Sequence, residues 1–171
     1  MTVFDADILS MFAKADAIHL LKRLFAEKGV MTSKIRDEIS VPLEYGYIFP
    51  LEVLSTIKTV SLSNQALEKY EKLQEDLSLG KGELEAIAYC KTENSVFATN
   101  DIKARKLAKH AGVSVVSLQA ILKALWKKKI MTKEEVGQLL AKIKDTDNLA
   151  LSGAVEREIF AEANSGEKDG C

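Results

Sequence analysis

The chain has 171 residues, of which 47% are hydrophobic and 29% are charged, and its formal net charge is −1. These values are typical of a soluble globular protein and argue against a disordered chain or a strongly basic one that binds nucleic acid non-specifically. The two cysteines, Cys90 and Cys171, form no disulfide pattern, no apolar run reaches the about 18 residues of a membrane span, and no secretory signal opens the chain, so we expect a cytoplasmic protein without a membrane partner.

Short apolar strands alternate with helical patterns along the chain, which predicts an α/β fold with a mainly parallel central sheet. Ser33 is expected to cap the third helix, because its hydroxyl precedes an apolar helical pattern. The predicted strands cover residues 2–5, 30–32, 57–62, 96–99 and 113–116. The predicted helices cover residues 8–12, 15–26, 33–43, a part of 45–56, 63–77, 83–93, 101–111, 117–128, 132–145 and 153–163.

Positive charge is concentrated in one part of the chain. Residues 101–133 contain nine Lys or Arg residues and one acid, so the remainder of the chain is net acidic. Such asymmetry can mark a surface for a polyanion. The alternative is that these lysines form the solvated faces of amphipathic helices, and charge alone does not decide between the two.

Two aspartates follow predicted strands. Asp5 ends the first strand, and Asp101 comes two residues after the strand 96–99 and opens the next helix. The carboxyl ends of parallel strands form the ligand crevice of open α/β sheets, so both positions suit a functional site. Helix capping alone would also explain a carboxylate at such a position.

Three glutamates are further candidates. Glu38 lies beside the core-facing side of its helix, although a solvated glutamate is the commoner outcome there. Glu83 lies in the first turn of a helix, behind the segment Gly80-Lys81-Gly82, and Glu85 competes with it for the same role. Spacing alone does not decide between Glu83 and Glu85.

A group of acids would need a cation among them, because clustered carboxylates repel one another. Carboxylate oxygens are preferred by hard divalent cations such as Mg²⁺ and Mn²⁺. The sequence offers no His/Cys ligand set, which makes zinc a poor fit.

Taken in order, these motifs resemble the PIN-domain ribonuclease family over about residues 2–130. Residues 3–9 (VFDADIL) look like the family's opening strand with its Asp, except that Asp7 replaces the usual Ser or Asn. Glu38 resembles the second acid of the family. Residues 80–88 (GKGELEAIA) are similar to the Gly-x-Gly-Glu-x-Glu-Ala-Ile-Ala segment of a prokaryotic subgroup. Residues 99–101 (TND) resemble its Thr-x-Asp.

The resemblance implies a three-layer α/β/α nuclease domain at 1–130, and residues 131–171 would then be a helical extension with a disordered tail at 164–171. It also implies hydrolysis of RNA by a water that Mg²⁺ or Mn²⁺ activates, a dimeric protein, and a role as a toxin with an antitoxin partner or as an RNA-processing factor. The implied metal ligands and catalytic residues are Asp5, Glu38, Glu83 and Asp101, with Asp7 and Glu85 as further candidates. Thr99 and Asn100 would orient a carboxylate or a water, and Lys103, Arg105 and Lys106 would contact phosphates.

Two other functions remain open. A phosphatase of the haloacid dehalogenase type also opens with a strand and Asp-x-Asp, as in Asp5-Ala6-Asp7, but it expects Gly-Thr where Ile8-Leu9 stand. A PIN-like module that binds RNA or protein without catalysis would need no working metal site. Loss of cleavage on changing Asp5 or Asp101 to Asn would separate it from a nuclease.

Overall fold

A single five-stranded parallel sheet organises the structure, a computed structural model that describes residues 1–75 and 79–162. The strand order is β3-β2-β1-β4-β5, so the first strand lies at the centre, between β2 and β4. The strands are β1 (Thr2–Phe4), β2 (Gly29–Thr32), β3 (Lys58–Val60), β4 (Val96–Ala98) and β5 (Ser114–Val116).

Helices join the strands and cover both faces of the sheet, which gives the predicted three-layer α/β/α architecture. Two short 3₁₀ segments, Ala26–Lys28 and Val41–Tyr45, complete the connections. The helices are α1 (Ala6–Lys14), α2 (Ile18–Phe25), α3 (Ser33–Ser40), α4 (Phe49–Thr56), α5 (Asn64–Leu73), α6 (Lys81–Thr92), α7 (Ile102–His110), α8 (Leu118–Lys127), α9 (Lys133–Asp147) and α10 (Gly153–Phe160).

The central strand is apolar on both faces because helices cover it from both sides. Val3 and Phe4 are fully buried, and Phe4 pairs in register with Ala98 on β4. Continuous apolar strands of this kind are typical of parallel sheets that are buried on both faces. Because β1 and β4 are neighbouring parallel strands, their carboxyl ends meet at one edge of the sheet.

Most predicted elements are confirmed within one to three residues, but two helix starts differ from the prediction. Ser33 is the first residue of α3 and does not cap it; the N-cap position is Thr32, whose side chain makes no capping hydrogen bond. α6 begins at Lys81, so that Gly82 and Glu83 both lie in its first turn. The predicted end of the fifth helix at residue 77 and the predicted disordered tail at 164–171 fall outside the described residues.

The C-terminal helices pack into the same core as the sheet. α9 packs against α1 and α8 and buries Val136, Leu140 and Ile143. α10 packs against α8, where the indole Nε1 of Trp126 donates a hydrogen bond of 2.8 Å to the carbonyl of Ile159. None of the described helices is long and apolar enough to cross a lipid bilayer.

We expect Ile143→Ala to lower the free energy of unfolding by about 2–4 kcal/mol, because it leaves a cavity in the core below α9. Urea denaturation followed by circular dichroism would measure this effect as one transition at a lower midpoint. The exposed Gln138→Ala on the same helix serves as the control and should change stability by no more than about 0.5 kcal/mol. Loss of α9 in a separate early transition would show that this helix does not share the core.

Candidate functional site

Two of the predicted acids lie side by side at the carboxyl edge of the sheet. Asp5 follows β1 directly, and its amide donates a hydrogen bond of 2.9 Å to the carbonyl of Ala98, which extends the β1–β4 ladder by one step. Asp101 follows β4 by three residues and is the N-cap of α7. The adjacency of β1 and β4 therefore brings together two residues that are 96 positions apart in the chain.

A fully buried threonine links these two aspartates. The hydroxyl of Thr99 donates a hydrogen bond of 2.7 Å to Oδ2 of Asp5, and the amide of Asp101 donates one of 3.1 Å to the Thr99 oxygen. Asp101 Oδ1 in turn accepts a hydrogen bond of 2.7 Å from the amide of Ala104, which caps α7. Thr99 thus holds the Asp5 carboxylate in a fixed orientation. The neighbouring Asn100 is partly exposed.

Glu38 reaches the same edge from α3 and contacts the start of α6. Its Oε1 accepts a hydrogen bond of 3.0 Å from the amide of Gly82. A Cβ atom at Gly82 would lie 2.7 Å from Oε2 of Glu38, a distance that real side chains do not tolerate. A side chain at position 82 would therefore push the end of the Glu38 side chain aside and displace its carboxylate from the amide of Gly82.

Glu83 and Glu85 both lie on α6 but accept hydrogen bonds from different helices. Glu83 Oε2 accepts a hydrogen bond of 2.9 Å from the amide of Gly80, at the N-cap of its own helix, and its side chain stays partly exposed. Glu85 is buried, at 6% exposure, and its Oε2 accepts a hydrogen bond of 2.6 Å from the amide of Lys34 in the first turn of α3. Glu85 therefore supplies the cap that the Thr32 side chain does not.

Electrostatic repulsion connects five carboxylates, which we call the acidic cluster: Asp5, Asp7, Glu38, Glu83 and Asp101. Burial raises the pKa of Asp5 to about 7, against the opposing hydrogen bond from Thr99, and repulsion from Asp7 and Glu83 adds to the rise. Loss of surrounding water, followed by repulsion from Asp101, Asp7 and Glu38, also raises the pKa of Glu83, against the hydrogen bond from the amide of Gly80.

The two members nearer the surface follow the same pattern. Asp7 and Glu38 are exposed, but the protein around their carboxyl groups displaces enough water to raise the pKa of each. Asp147 and Asp101 raise the pKa of Asp7 further, whereas Lys14 lowers it. The backbone hydrogen bond from Gly82 lowers the pKa of Glu38, and Asp7 and Glu85 raise it. The acidic cluster thus concentrates negative charge that a cation would relieve.

The donor set of the acidic cluster suits a hard divalent cation, since every candidate ligand atom is a carboxylate oxygen. Four of its five carboxylates each accept one hydrogen bond from the protein. Within residues 1–75 and 79–162, no group of three or more Asp, Glu, His or Cys side chains is arranged so that it could hold a metal ion as it stands.

The predicted phosphate-contacting residues spread over different surfaces of α7. Lys103 and Lys106 are exposed, whereas Arg105 is partly buried. Arg105 lines a cavity of about 370 Å³ between α7, α8 and α10, together with Ser117 and Lys123. The structure thus brings together the predicted acids but leaves Arg105 in a separate cavity.

Two features of the site were not anticipated from the sequence. The capping of α3 by Glu85 joins residues 51 positions apart, and the ion pair between Lys14 and Asp147, beside Asp7, joins residues 133 positions apart. Neither pairing leaves a local sequence signal, because both partners are ordinary charged residues of helices.

Comparison with known proteins gives one family and one described fold relative. A family model for PIN domains (DUF3368) matches residues 1–165. A search of curated proteins finds no match. Among solved structures, the fold resembles VapBC2 from Rickettsia felis bound to a DNA fragment from their promoter, with a TM-score of 0.53 and 17% sequence identity over 68% of this chain and 97% of that chain. At this identity the likeness concerns the fold alone.

We expect Glu85→Ala to lower the free energy of unfolding by about 1–2 kcal/mol, because it removes the capping acceptor of α3. Glu85→Gln should retain most of the stability, since the amide oxygen can still accept the hydrogen bond from Lys34. Urea denaturation would measure both variants against Glu68→Ala, an exposed acid on α5. Equal stability of Glu85→Ala and the control would contradict the capping role.

The raised pKa of Asp5 gives a prediction for stability against pH. The unfolded chain releases the Asp5 proton near the ordinary aspartate pKa of 3.8, whereas the folded protein keeps it until about pH 7. Between these values the folded state binds more protons, so the free energy of unfolding falls as pH rises, and the loss is complete above the folded pKa.

Without divalent cations at pH 7.5, Asp5→Asn should therefore be more stable than the original chain by about 1–3 kcal/mol. Its stability should also change less between pH 4 and 7. Urea denaturation in EDTA at several pH values would measure this, with the exposed Asp37→Asn as control. If Asp5→Asn is no more stable than the original chain at pH 7.5, the pKa of Asp5 is not raised in the folded protein.

Proposed function

The chain belongs to the PIN-domain family, and from this premise we propose that it is a divalent-metal-dependent ribonuclease that uses the acidic cluster as its metal and catalytic site. The observation that carries the proposal is the meeting of five carboxylates, with raised pKa values for four of them, at the carboxyl edge of the sheet. Such an accumulation of repelling charges favours a site that binds a cation.

In this proposal Asp5, Glu38, Glu83 and Asp101 hold Mg²⁺ or Mn²⁺ through carboxylate oxygens, and Asp7 adds a fifth acid at the surface. When bound, the cation would supply an activated water and stabilise negative charge on the scissile phosphate. The pKa values of Asp5 and Glu83, which are raised in the cation-free protein, would fall again beside a positive charge, so that both bind in the ionised form.

Other residues of the chain act on these ligands without contacting the cation. The Thr99 hydroxyl orients the carboxylate of Asp5, and outer hydrogen bonds of this kind are typically worth about 10–100-fold in metal affinity or activity. Glu85 fixes the start of α3 through Lys34 and thereby the helix that carries Glu38. We therefore assign Glu83 to the metal site and Glu85 to positioning.

Lys103 and Lys106, which are exposed on the helix that Asp101 caps, are proposed to contact the phosphates of the substrate. Membership of the PIN-domain family favours a nuclease over a phosphatase of the haloacid dehalogenase type. The fold likeness to VapBC2 favours a toxin role over a housekeeping role in RNA processing. In that role a small antitoxin protein would be the partner, and the chain would act as a dimer in the cytoplasm.

The proposal predicts that Mn²⁺ raises the melting temperature of the protein, because a cation that binds only the folded state stabilises it. Asp101→Asn should abolish this shift and reduce cleavage of single-stranded RNA by at least about a hundredfold, since even outer-shell partners are worth about 10–100-fold. Glu83→Gln should weaken both effects, whereas Glu85→Gln should leave the Mn²⁺ shift in place. Differential scanning fluorimetry and a gel assay of RNA cleavage would measure them.

The controls for this experiment are the exposed Asp145→Asn and Mn²⁺-free buffer with EDTA. Cleavage by Asp101→Asn at the original rate would contradict the nuclease. A Mn²⁺ shift that disappears in Glu85→Gln but survives in Glu83→Gln would reverse the assignment of these two glutamates.

A further inference from the structure

A cavity of about 530 Å³ lies between α1, the 3₁₀ segment before α4, α4 itself and the end of α9. It is lined by Lys14, Pro42, Tyr47, Phe49 and Thr146, and we call it the aromatic cavity. Its volume falls within the range of about 300–1,000 Å³ that is typical of small-ligand sites. None of its lining residues belongs to the acidic cluster.

The aromatic cavity is nevertheless next to the acidic cluster along α1. Asp7 and Lys14 are seven residues apart on this helix, which places them on one face with a rise of about 10 Å between them. Lys14 forms an ion pair with Asp147, and both of these charges act on Asp7. Lys14 therefore stands at the boundary, with one side towards the acidic cluster and the other towards the cavity.

The aromatic and basic side chains that line the aromatic cavity are of the kinds that stack against a flat ring. The rings of Tyr47 and Phe49 lie 6.4 Å apart between centroids, at an angle of 59°, and Lys14 Nζ lies 5.5 Å from the centre of the Phe49 ring. Tyr47 is 61% exposed, so one face of its ring is open. Aromatic faces beside a basic group are the usual platform for unpaired bases of single-stranded nucleic acids.

We propose that the aromatic cavity binds one unpaired base of the substrate, next to the phosphate that is cleaved at the acidic cluster. The inference rests on the proposed nuclease function and narrows its substrate to a strand that is single-stranded at this position, since a base within a duplex cannot reach a side-chain ring. Lys14 is placed to contact the phosphate between the stacked base and the cleaved bond.

A protein partner is the competing occupant, because exposed apolar residues adjoin Tyr47 and Phe49 in the chain. Tyr45 is 75% exposed, Ile48 is 77% exposed and Leu51 is 55% exposed. A protein interface would use these residues together with Tyr47. A stacked base would use Tyr47 and Phe49, which line the cavity, and would not use Tyr45, which does not. The two tyrosines are therefore a matched pair for an experiment.

The test measures binding of a fluorescein-labelled, eight-nucleotide single-stranded RNA by anisotropy with Ca²⁺ in place of Mn²⁺, so that a cation relieves the repulsion between the acidic cluster and phosphate. A gel verifies that the RNA stays intact during the measurement. Eight further oligonucleotides each carry one abasic position. At one or two adjacent positions, loss of the base should weaken binding to the original chain by about tenfold, which lies within the range for one stacked base. The same abasic positions should weaken binding to Tyr47→Ala by less than about twofold, whereas Tyr45→Ala should behave like the original chain.

Several outcomes would overturn the inference. The first is an abasic scan without any position that depends on Tyr47, and the second is an equal loss of RNA binding in Tyr45→Ala and Tyr47→Ala. A third is a change of oligomeric state in both tyrosine variants by sedimentation, which would make the surface an interface between copies. Phe49→Leu gives an independent check. Like Tyr47→Ala, it should bind the intact RNA and the RNA with the critical abasic position with nearly the same affinity.

Failure of this inference is distinguishable from failure of the proposed function. Asp101→Asn should lose RNA cleavage, while the positions at which an abasic nucleotide weakens binding should be those of the original chain. A flat abasic scan together with loss of cleavage in Asp101→Asn would overturn only the base site. Unchanged cleavage in Asp101→Asn would overturn the nuclease site, whatever the scan shows.

Discussion

Repulsion among the carboxylates of the acidic cluster is the constraint on which the rest of the site depends. Parallel strands deliver Asp5 and Asp101 to one edge of the sheet, and α1, α3 and α6 bring Asp7, Glu38 and Glu83 to it. In the absence of a cation the protein moderates this repulsion with neutral donors, namely one hydroxyl and several backbone amides. These hydrogen bonds stabilise the charged forms, and burial together with mutual repulsion opposes them.

Two hydrogen bonds between a carboxylate of one helix and a backbone amide of the other hold α3 and α6 together. α6 offers the amide of Gly82 to Glu38 on α3, and the buried Glu85 on α6 accepts from the amide of Lys34 on α3. In this reciprocal arrangement a side chain at position 82, in the first turn of α6, would displace the Glu38 carboxylate from its hydrogen bond. It also explains why two glutamates two positions apart have different roles: Glu83 points to the exposed edge and Glu85 into the protein.

Local rules predicted the parts of the site that depend on local structure. The β1 and β4 ends were predictable because each acid directly follows a short apolar strand, and the PIN-domain resemblance drawn from these motifs is confirmed by the family match. The capping of α3 by Glu85, while Glu83 accepts from Gly80 of its own helix, was not predictable, since it depends on where α3 packs against α6. The ion pair of Lys14 with Asp147 could not be predicted from the sequence either. It depends on how α9 packs against α1, and the two residues are 133 positions apart.

The packing of α9 places a charged residue from the C-terminal part of the chain beside the acidic cluster. α9 ends at Asp147, beside Lys14, and Asp147 raises the pKa of Asp7 while Lys14 lowers it. Because Lys14 balances Asp147 on one side and approaches Phe49 on the other, the charge that Asp7 experiences depends on what occupies the neighbouring cavity. A ligand phosphate that drew Lys14 away from Asp147 would therefore change the electrostatic surroundings of the acidic cluster as it bound.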